Sequence, residues 1–405
     1  MQVDPLCPNL RELYINLDAL KISEAIYFTP LLASSLRSIS IYDPNYSDTG
    51  ELAACFILDT LRFCNAKISS ISYRGSTSNR ILKRISSFSS LRSVSIPLCD
   101  KEGMSKTDIT SFLTRNLTNL DINVNHFPGN ILRQLGKGFE TLAFLTSLSL
   151  HGSLSNIYKC ICDLNPIASI SSFGLYRYPL SSFSERRVTA LIPSLATIFP
   201  NLHSLHLENI GHNISMVTLN DLMSFRERPM QALDLINCFD TMQYARNIIE
   251  ILKVWPTLQH LWFEGDDLCA EDLLPLISCS APSLLDLTLP LKFPDVWNVS
   301  VVNEVVCPLQ YLRIPPPIKL GFDFPEVFRR AHDLIELFPA LRAISERTTS
   351  TWKFATIDFA IKDIDITKVE QMRKKMWKER VSSKVRQRHQ WLRHPIHPVQ
   401  AVDLM

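Results

Sequence analysis

The sequence predicts an α/β solenoid, a curved right-handed horseshoe with a parallel sheet on its concave side and helices on its convex side. Three observations predict this fold. The pattern L-x-x-L-x-L recurs along the chain, amphipathic helical patterns lie between its copies, and prolines stand where a helix gives way to a strand. A strand-plus-helix unit repeated every ~20–29 residues is the signature of a leucine-rich repeat array.

The repeated strand pattern carries apolar residues at its first, fourth and sixth positions, which we call the first, second and third anchors. Thirteen copies occur, with first anchors 23 to 32 residues apart. The second anchors are Leu13, Ile39, Ile71, Val94, Leu120, Leu148, Phe173, Leu205, Leu233, Leu261, Leu287, Leu312 and Ile344. The unbroken series predicts one repeat domain of 12 to 13 irregular repeats over residues 1–346.

Helical patterns separate the predicted strands. Apolar residues follow a period of about 3.6 over 188–198, 245–252 and 327–335, and shorter helical candidates lie at 51–64, 79–87, 106–115 and 130–144. Proline precedes several strands, as at Pro200 and Pro256, and it ends a helix because its ring excludes further helical hydrogen bonding. We therefore expect each repeat to run from helix through proline to strand, with more irregular loops in the first half.

Two further segments follow the repeats. Alternating apolar residues over 352–361 predict one or two closing strands within residues 347–366. A capping-box pattern at Thr367–Glu370 predicts a helix that begins the basic tail, residues 367–405. Residues 367–394 carry a net charge of +8, which leaves −6 on the rest of a chain whose total is +2. A solvated helix docked on the acidic repeats is the favoured interpretation, and a nuclear-import or nucleic-acid patch is the alternative.

Composition favours a folded protein of the cytoplasm or nucleus. The chain is 46% hydrophobic and 20% charged, and no apolar run approaches the ~20 residues that a membrane-spanning helix needs. No secretory signal is visible at the N-terminus, so the ten cysteines are expected to be reduced thiols. Because the first anchor, Leu10, comes so early, we also expect the first repeat to expose an apolar flank.

Motifs for catalysis and cofactor binding are absent from the sequence. It contains no P-loop, no G-x-G-x-x-G, no G-x-S-x-G and no H-E-x-x-H. His203 and His206 share one strand face, and Cys160 and Cys162 form a C-x-C pair, but neither pair shows the additional ligands of a zinc site. We therefore predict a non-enzymatic protein with no cofactor and no metal.

The residues that flank each second anchor point away from the core and line the concave face, with strands about 4.8 Å apart. In the first half of the chain these residues are mostly serine. After residue 200 they become aromatic, histidine and charged, and Trp, Tyr and Arg are the types that dominate binding hot spots. Trp262 folded against its neighbours, rather than presented to a partner, is an equally good interpretation. The predicted binding residues for a protein partner are His206, Asp234, His260, Trp262, Glu264, Asp286, Tyr311 and Arg313.

The C/F-P-x-L-x-x-L-x-L junctions, such as Phe199–Leu207, and the irregular repeat lengths resemble the repeat region of fungal F-box proteins over residues 7–346. In that family an N-terminal F-box docks on the Skp–cullin ubiquitin ligase, and the concave face selects substrates. The resemblance implies a ubiquitin-ligase adaptor, with a Skp-type adaptor as partner only if an F-box lies upstream. The alternative is a regulator of a small GTPase, because Ran GTPase-activating proteins have repeats of similar length. Only Asn209 and Asn237 occupy the same repeat position, so the sequence lacks the asparagine series that would support this alternative. A membrane partner is not expected, and a nucleic-acid partner is disfavoured.

Overall fold

A long sheet of parallel strands runs through the protein and confirms the predicted leucine-rich repeat solenoid. The strands follow one another across the sheet in chain order, as stacked repeats require. The computed structural model describes residues 6–18, 22–75, 78–97, 113, 116–125, 129–177, 191–209, 217–239, 244–265, 268–292, 306–314, 334, 337–346 and 362–365.

All thirteen predicted strands are present among the described residues. In chain order the strands are β1 (Glu12–Asn16), β2 (Ser38–Tyr42), β3 (Ser70–Arg74), β4 (Ser93–Pro97), β5 (Asn119–Asn123), β6 (Ser147–Gly152), β7 (Ser172–Arg177), β8 (Ser204–Asn209), β9 (Ala232–Ile236), β10 (His260–Glu264), β11 (Leu268–Cys269), β12 (Asp286–Thr288), β13 (Leu291–Lys292), β14 (Tyr311–Ile314), β15 (Ala343–Glu346) and β16 (Lys362–Asp365). The short strands β11 and β13 pair only with each other, and the other fourteen form the main sheet.

The second anchors occupy equivalent positions on neighbouring strands. Leu205 on β8 lies opposite Phe173 on β7 and Leu233 on β9, and Leu261 on β10 continues the same row. These side chains are at most 1% exposed. Since side chains alternate between the two faces of a strand, this register places the second anchors of these four repeats in one continuous core.

Helices and short 3₁₀ segments connect many of the strands. The helices are α1 (Asp48–Phe63), α2 (Asn79–Ile85), α3 (Gly129–Glu140), α4 (Leu154–Ile161), α5 (Leu191–Ile198), α6 (Leu219–Leu222), α7 (Tyr244–Val254) and α8 (Ala270–Ser280), and the 3₁₀ segments are Ile22–Leu31 and Met223–Phe225. The predicted helices at 51–64, 79–87, 130–144, 188–198 and 245–252 correspond to α1, α2, α3, α5 and α7. Those at 106–115 and 327–335 fall almost entirely outside the described residues.

Local sequence signals explain where the helices begin and end. The Ser47 hydroxyl accepts a hydrogen bond from the Gly50 amide at 2.9 Å and so caps the N-terminus of α1. Helix α5 ends at Ile198, two residues before Pro200, as predicted. Phe199 between them is fully buried and stacks on Phe173, with ring centroids 5.1 Å apart. Proline therefore sets the point at which each such repeat returns to the sheet.

The two ends of the sheet differ. At its C-terminal end β16 runs antiparallel to β15, within the segment predicted to close the repeats. The predicted strands at 352–361 and the predicted basic helix of residues 367–405 lie outside the described residues. At the N-terminal end Leu10 and Leu13 are only partly buried, whereas their equivalents in the second repeat are fully buried.

Two general properties of the described residues bear on the sequence-based expectations. No helix among them has both the length and the hydrophobicity needed to cross a membrane. Their nine cysteines are all free thiols.

Candidate functional site

The side chains that alternate with the anchors form a second face of the main sheet, which we call the open face. It contains three rows, formed by the residue before the second anchor, the residue after it and the residue after the third anchor. On β8 these residues are Ser204, His206 and Glu208. Because neighbouring parallel strands pair residue by residue, each row continues from strand to strand. The open face corresponds to the predicted concave face.

A chain of ion pairs crosses the open face in its C-terminal half. Nδ1 of His206 lies 2.9 Å from Oδ2 of Asp234, and Nε2 of His260 lies 2.9 Å from Oδ1 of the same carboxylate. Nδ1 of His260 is 3.4 Å from Oδ2 of Asp286. Nη1 of Arg313 then donates to both Asp286 oxygens, at 2.8 and 2.6 Å. Five of the predicted binding residues are thus linked across β8, β9, β10, β12 and β14.

The two histidines of these ion pairs, His206 and His260, each lie between two carboxylates. Besides its contact with Asp234, His206 directs Nε2 at Oε2 of Glu208, 3.4 Å away. A ring nitrogen must carry a proton to bond to a carboxylate, and neutral imidazole has only one such nitrogen. Since each ring faces carboxylates through both of its nitrogens, this arrangement favours the doubly protonated form of His206 and of His260.

The electrostatic surroundings of His206 and His260 also favour their protonated forms. Burial lowers the pKa of His206, but the hydrogen bonds to Asp234 and Glu208 outweigh it and raise the pKa to about 8. Burial likewise lowers the pKa of His260, and Asp234 and Asp286 outweigh it and raise the pKa to about 9. Burial raises the pKa of Asp234, yet the two histidines that donate to it lower that pKa to about 2. At neutral pH three cations therefore face the three carboxylates of Glu208, Asp234 and Asp286.

Aromatic rings continue the chain into the N-terminal half of the sheet. The Tyr176 ring stacks on His151, with ring centroids 4.1 Å apart and an interplanar angle of 4°, and it lies 4.6 Å from the ring of His206. Nε2 of His151 pairs with Asp121, whose Oδ2 accepts a hydrogen bond from the Ser95 hydroxyl at 2.6 Å. A continuous set of contacting side chains therefore runs from β4 to β14. We call it the ladder, and its members are Ser95, Asp121, His151, Tyr176, His206, Glu208, Asp234, His260, Asp286 and Arg313.

Gly174 explains how Tyr176 reaches both of its neighbours. It occupies the second row of β7, between Ser149 and His206 in the register. A Cβ atom at Gly174 would lie 2.8 Å from the Ser149 hydroxyl and 3.1 Å from Cε2 of Tyr176. Glycine thus leaves the space that the tyrosine ring uses.

The other predicted residues lie on the same face. The half-buried Trp262 makes an edge-on contact with His206, with centroids 6.2 Å apart and an interplanar angle of 75°, so it packs against the ladder, as one of the two interpretations anticipated. Glu264 lies half-buried in the third row of β10, and Tyr311 is 39% exposed in the first row of β14. Trp262 and Tyr311 therefore add aromatic surface to the C-terminal half of the ladder.

Five ladder members were missed by the sequence analysis: Ser95, Asp121, His151, Tyr176 and Glu208. Three of them, His151, Tyr176 and Glu208, lie in the third row. The sequence analysis considered only Glu264 from that row. His151, Tyr176 and Glu208 each follow a third anchor directly, so their position could have been found from the same repeat pattern. The ladder consequently extends into the half of the sheet that was expected to offer few anchoring groups.

The two asparagines of the GTPase-regulator alternative contribute to local structure. The Asn209 side chain accepts a buried hydrogen bond from Nη1 of Arg177 at 3.1 Å. Asn237 has a positive φ of 54°, and its amide donates to the Glu264 carbonyl at 2.8 Å. Asparagine is one of the few residues that tolerate this left-handed conformation. Both residues therefore have a structural reason for their place in the repeat.

In the described part of the chain, no three His, Cys, Asp or Glu side chains are grouped so that they could hold a metal ion. In comparisons with known proteins, no family model and no curated protein sequence matches the chain.

Proposed function

We propose that this chain is a non-enzymatic recognition scaffold that binds a partner protein along the ladder. The observation that carries this proposal is the mutual ordering of the ladder side chains, each of which is held by a neighbouring strand. Side chains that are already immobilised lose little further entropy when a partner binds. The ladder is thus a preorganised surface rather than a set of independent polar groups.

The composition of this surface supports a protein partner. Tyr176, Trp262 and Tyr311 provide aromatic area and Arg313 provides a guanidinium, and these residue types are enriched at the centres of protein interfaces. The charges of the ladder are paired within the chain, so a partner need not compensate isolated buried charges. Nucleic-acid binding depends instead on an excess of Lys and Arg facing the phosphates, whereas this surface balances its cations with carboxylates.

A finer proposal follows from the resemblance of the repeats to those of fungal F-box proteins. The partner would then be a substrate selected for an SCF-type ubiquitin ligase, and a Skp-type adaptor would bind an F-box upstream of the repeats. Co-purification of the full-length protein with a Skp-type adaptor tests this step. Failure of that co-purification would remove the ligase assignment and leave the recognition scaffold to be judged by its own experiment.

The scaffold proposal is tested by quantitative affinity capture from a lysate of the source cells. The immobilised protein is compared with a Trp262→Ala/Arg313→Ala variant and with Ser72→Ala. Ser72 lies on the open face of β3, beside Ser95 and far along the sheet from Trp262 on β10. We expect specific proteins to be captured by the wild type and by Ser72→Ala and to be lost with the double variant. Equal capture by all three folded proteins would contradict binding at the ladder.

The small-GTPase alternative has a separate test. Purified chain is added to GTP-loaded small GTPases, and the rate of GTP hydrolysis is measured. We expect no acceleration, because the Asn209 side chain is bound to Arg177 of the preceding repeat and Asn237 forms a left-handed turn whose amide donates to Glu264 of the next repeat.

A further inference from the structure

Positive charge collects at the edge of the solenoid where β2, β3 and β4 begin. The connections that lead into these strands, residues 34–37, 62–69 and 83–92, contain six Lys or Arg residues and no Asp or Glu. Nε of Arg84 pairs with Asp59 at 2.8 Å. The other five cations are exposed and form no ion pair with another described residue. We call them the basic rim, and they are Arg37, Arg62, Lys67, Lys83 and Arg92.

Local structure accounts for only part of this charge. Arg62 and Lys83 lie in the last turns of α1 and α2, where a cation stabilises the helix dipole. Nη1 of Arg37 donates to the carbonyls of Ser34 and Leu36 at 2.8 and 3.0 Å, within its own connection. Lys67 and Arg92 have no such use, because neither side chain forms a hydrogen bond or ion pair within the described part of the chain. The net charge of the chain outside residues 367–394 is −6, so the rim opposes its surroundings in sign.

The repeat geometry spaces the rim regularly. The Ser69 amide donates to the Arg37 carbonyl and the Arg92 amide donates to the Ser69 carbonyl, each at 2.8 Å. These three residues therefore hold equivalent positions on adjacent strands about 4.8 Å apart, which places the Arg37 and Arg92 backbones about 10 Å apart. Lys67 precedes Ser69 by two residues and lies in the connection between them.

Two phenylalanines are exposed at the same edge of the solenoid. Phe63, beside Arg62 at the end of α1, is 84% exposed, and Phe144, in the connection that leads into β6, is 61% exposed. The connections that hold them lead into strands three positions apart in the sheet, or about 14 Å. Aromatic residues and arginine are the types that dominate binding hot spots. The edge thus presents cations together with two apolar contacts.

We propose that the basic rim binds an acidic, extended segment of a partner protein, whose apolar side chains contact Phe63 and Phe144. The distance from β2 to β6 is about 19 Å, which an extended peptide of about six residues covers. Single-stranded nucleic acid is a poorer fit, because successive bases stack on closely spaced aromatic rings and these two rings are three strands apart. The rim lies at the edge of the sheet and the ladder lies on its open face, so this proposal does not depend on binding at the ladder.

A synthetic peptide tests the charge requirement. The probe is fluorescein-labelled hexaglutamate with a leucine at each end, and fluorescence anisotropy measures its dissociation constant. Lys67→Glu/Arg92→Glu alters two exposed cations outside the helices and should raise the dissociation constant about tenfold or more. Added salt should weaken binding to the wild type, because the rim charges are exposed to solvent.

A second charge reversal serves as the matched control. Arg80 and Arg246 are exposed in the first turns of α2 and α7, at the opposite ends of these helices from the rim. Arg80→Glu/Arg246→Glu changes the net charge by the same amount and should change the dissociation constant by less than about twofold. Circular dichroism establishes that both variants are folded.

The two phenylalanines have their own test. Phe63→Ala/Phe144→Ala should reduce the affinity for the leucine-flanked probe to that for plain hexaglutamate, and it should leave the affinity for plain hexaglutamate unchanged. The probe is not the partner of the ladder, so its failure to bind would remove the rim proposal and leave the ladder proposal intact.

Three results would each overturn the proposal. The first is the absence of probe binding at physiological ionic strength. The second is equal weakening by the two charge reversals, which would show that only the net charge of the protein matters. The third is tighter binding of a uridine hexanucleotide than of the peptide probe, which would assign the rim to nucleic acid.

Discussion

Asp234 lies opposite His206 on the neighbouring strand, with its Oδ2 atom 2.9 Å from Nδ1 of the imidazole. Its other oxygen is 2.9 Å from Nε2 of His260 on the strand at its other side. One carboxylate on β9 therefore binds two imidazolium rings, one on each neighbouring strand. Asp234 is the central residue of the ladder's ion pairs.

Replacing this carboxylate should lower the pKa of both histidines. In Asp234→Asn the side chain keeps its shape but offers one acceptor oxygen and no charge. We expect the histidine pKa values to fall from about 8 for His206 and about 9 for His260 towards 6.5, and the free energy of unfolding to fall by about 1–3 kcal/mol. NMR titration and denaturant unfolding measure the two effects. Asp163→Asn is the control, since Asp163 and its partner Arg133 are exposed, and it should change stability by less than ~0.5 kcal/mol.

Stability should fall as the pH rises from about 6.5 to 9. The folded-state pKa values of His206 and His260 are raised from 6.5 to about 8 and about 9. Between these limits the folded protein holds protons that the unfolded chain has released, so the stabilisation is complete below pH 6.5 and is lost towards pH 9. The lowered pKa of Asp234 acts oppositely, giving a contribution that is present above pH 3.8 and is lost as the pH falls through about 2.

Thermal unfolding at constant ionic strength across this range measures the dependence. Asp234→Asn should flatten the alkaline limb of the curve because both histidines then titrate closer to their unfolded values. An unfolding temperature that increased between pH 6.5 and 9 would show that these rings are not held as imidazolium ions.

Gly174→Ala should disturb the stacking of Tyr176 between His151 and His206. The added Cβ would lie 2.8 Å from the Ser149 hydroxyl and 3.1 Å from the Tyr176 ring, so one of them must move. Overpacking of this kind costs about 1–3 kcal/mol of unfolding free energy, which denaturant titration measures. Gly129→Ala is the control, because its Cβ would meet only Lys159 at an ordinary 3.6 Å. Equal stability of the two variants would mean that the ring does not depend on the glycine.

Partner binding should be most sensitive at Trp262 and Arg313. Loss of one hot-spot side chain typically costs at least ~2 kcal/mol, or roughly thirtyfold in affinity. We expect losses of this size for Trp262→Ala and for Arg313→Ala against a partner recovered by capture, and a negligible change for Ser72→Ala. Titration calorimetry with the purified partner measures each dissociation constant. Similar losses for Ser72→Ala and Trp262→Ala would place the partner elsewhere on the sheet.

The repeat pattern was sufficient to predict the fold because the anchors are chemically simple. Every second anchor from Leu13 to Ile344 lies in a parallel strand, and the proline junctions at Pro200 and Pro256 follow the helices as expected. In a stacked array, leucines that recur at the same repeat position are buried together in the core. Periodicity alone therefore determined strand order and register.

The site was predicted only in part because its contacts cross between rows. The pattern placed His206, Asp234 and His260 on one face. It omitted Glu208 and Tyr176 because only the residues on either side of each second anchor were considered. Ser95 is one of the small residues of the first half, yet its hydroxyl bonds to Asp121 within the ladder. The raised pKa values of His206 and His260 were also beyond the sequence, since they depend on the two carboxylates that flank each ring. These effects depend on which side chains are in contact. The residue type at each repeat position does not show those contacts.

The alternation of sign along the ladder restricts how this array can change its length. From β8 to β14 the linked side chains read cation, anion, cation, anion, cation, one for each repeat. A recombination event that removed the β9 repeat would bring His206 beside His260 and leave two cations without the carboxylate between them. Removal of two adjacent repeats would preserve the alternation. Within this region, the gain or loss of two adjacent repeats should therefore be tolerated better than the gain or loss of one.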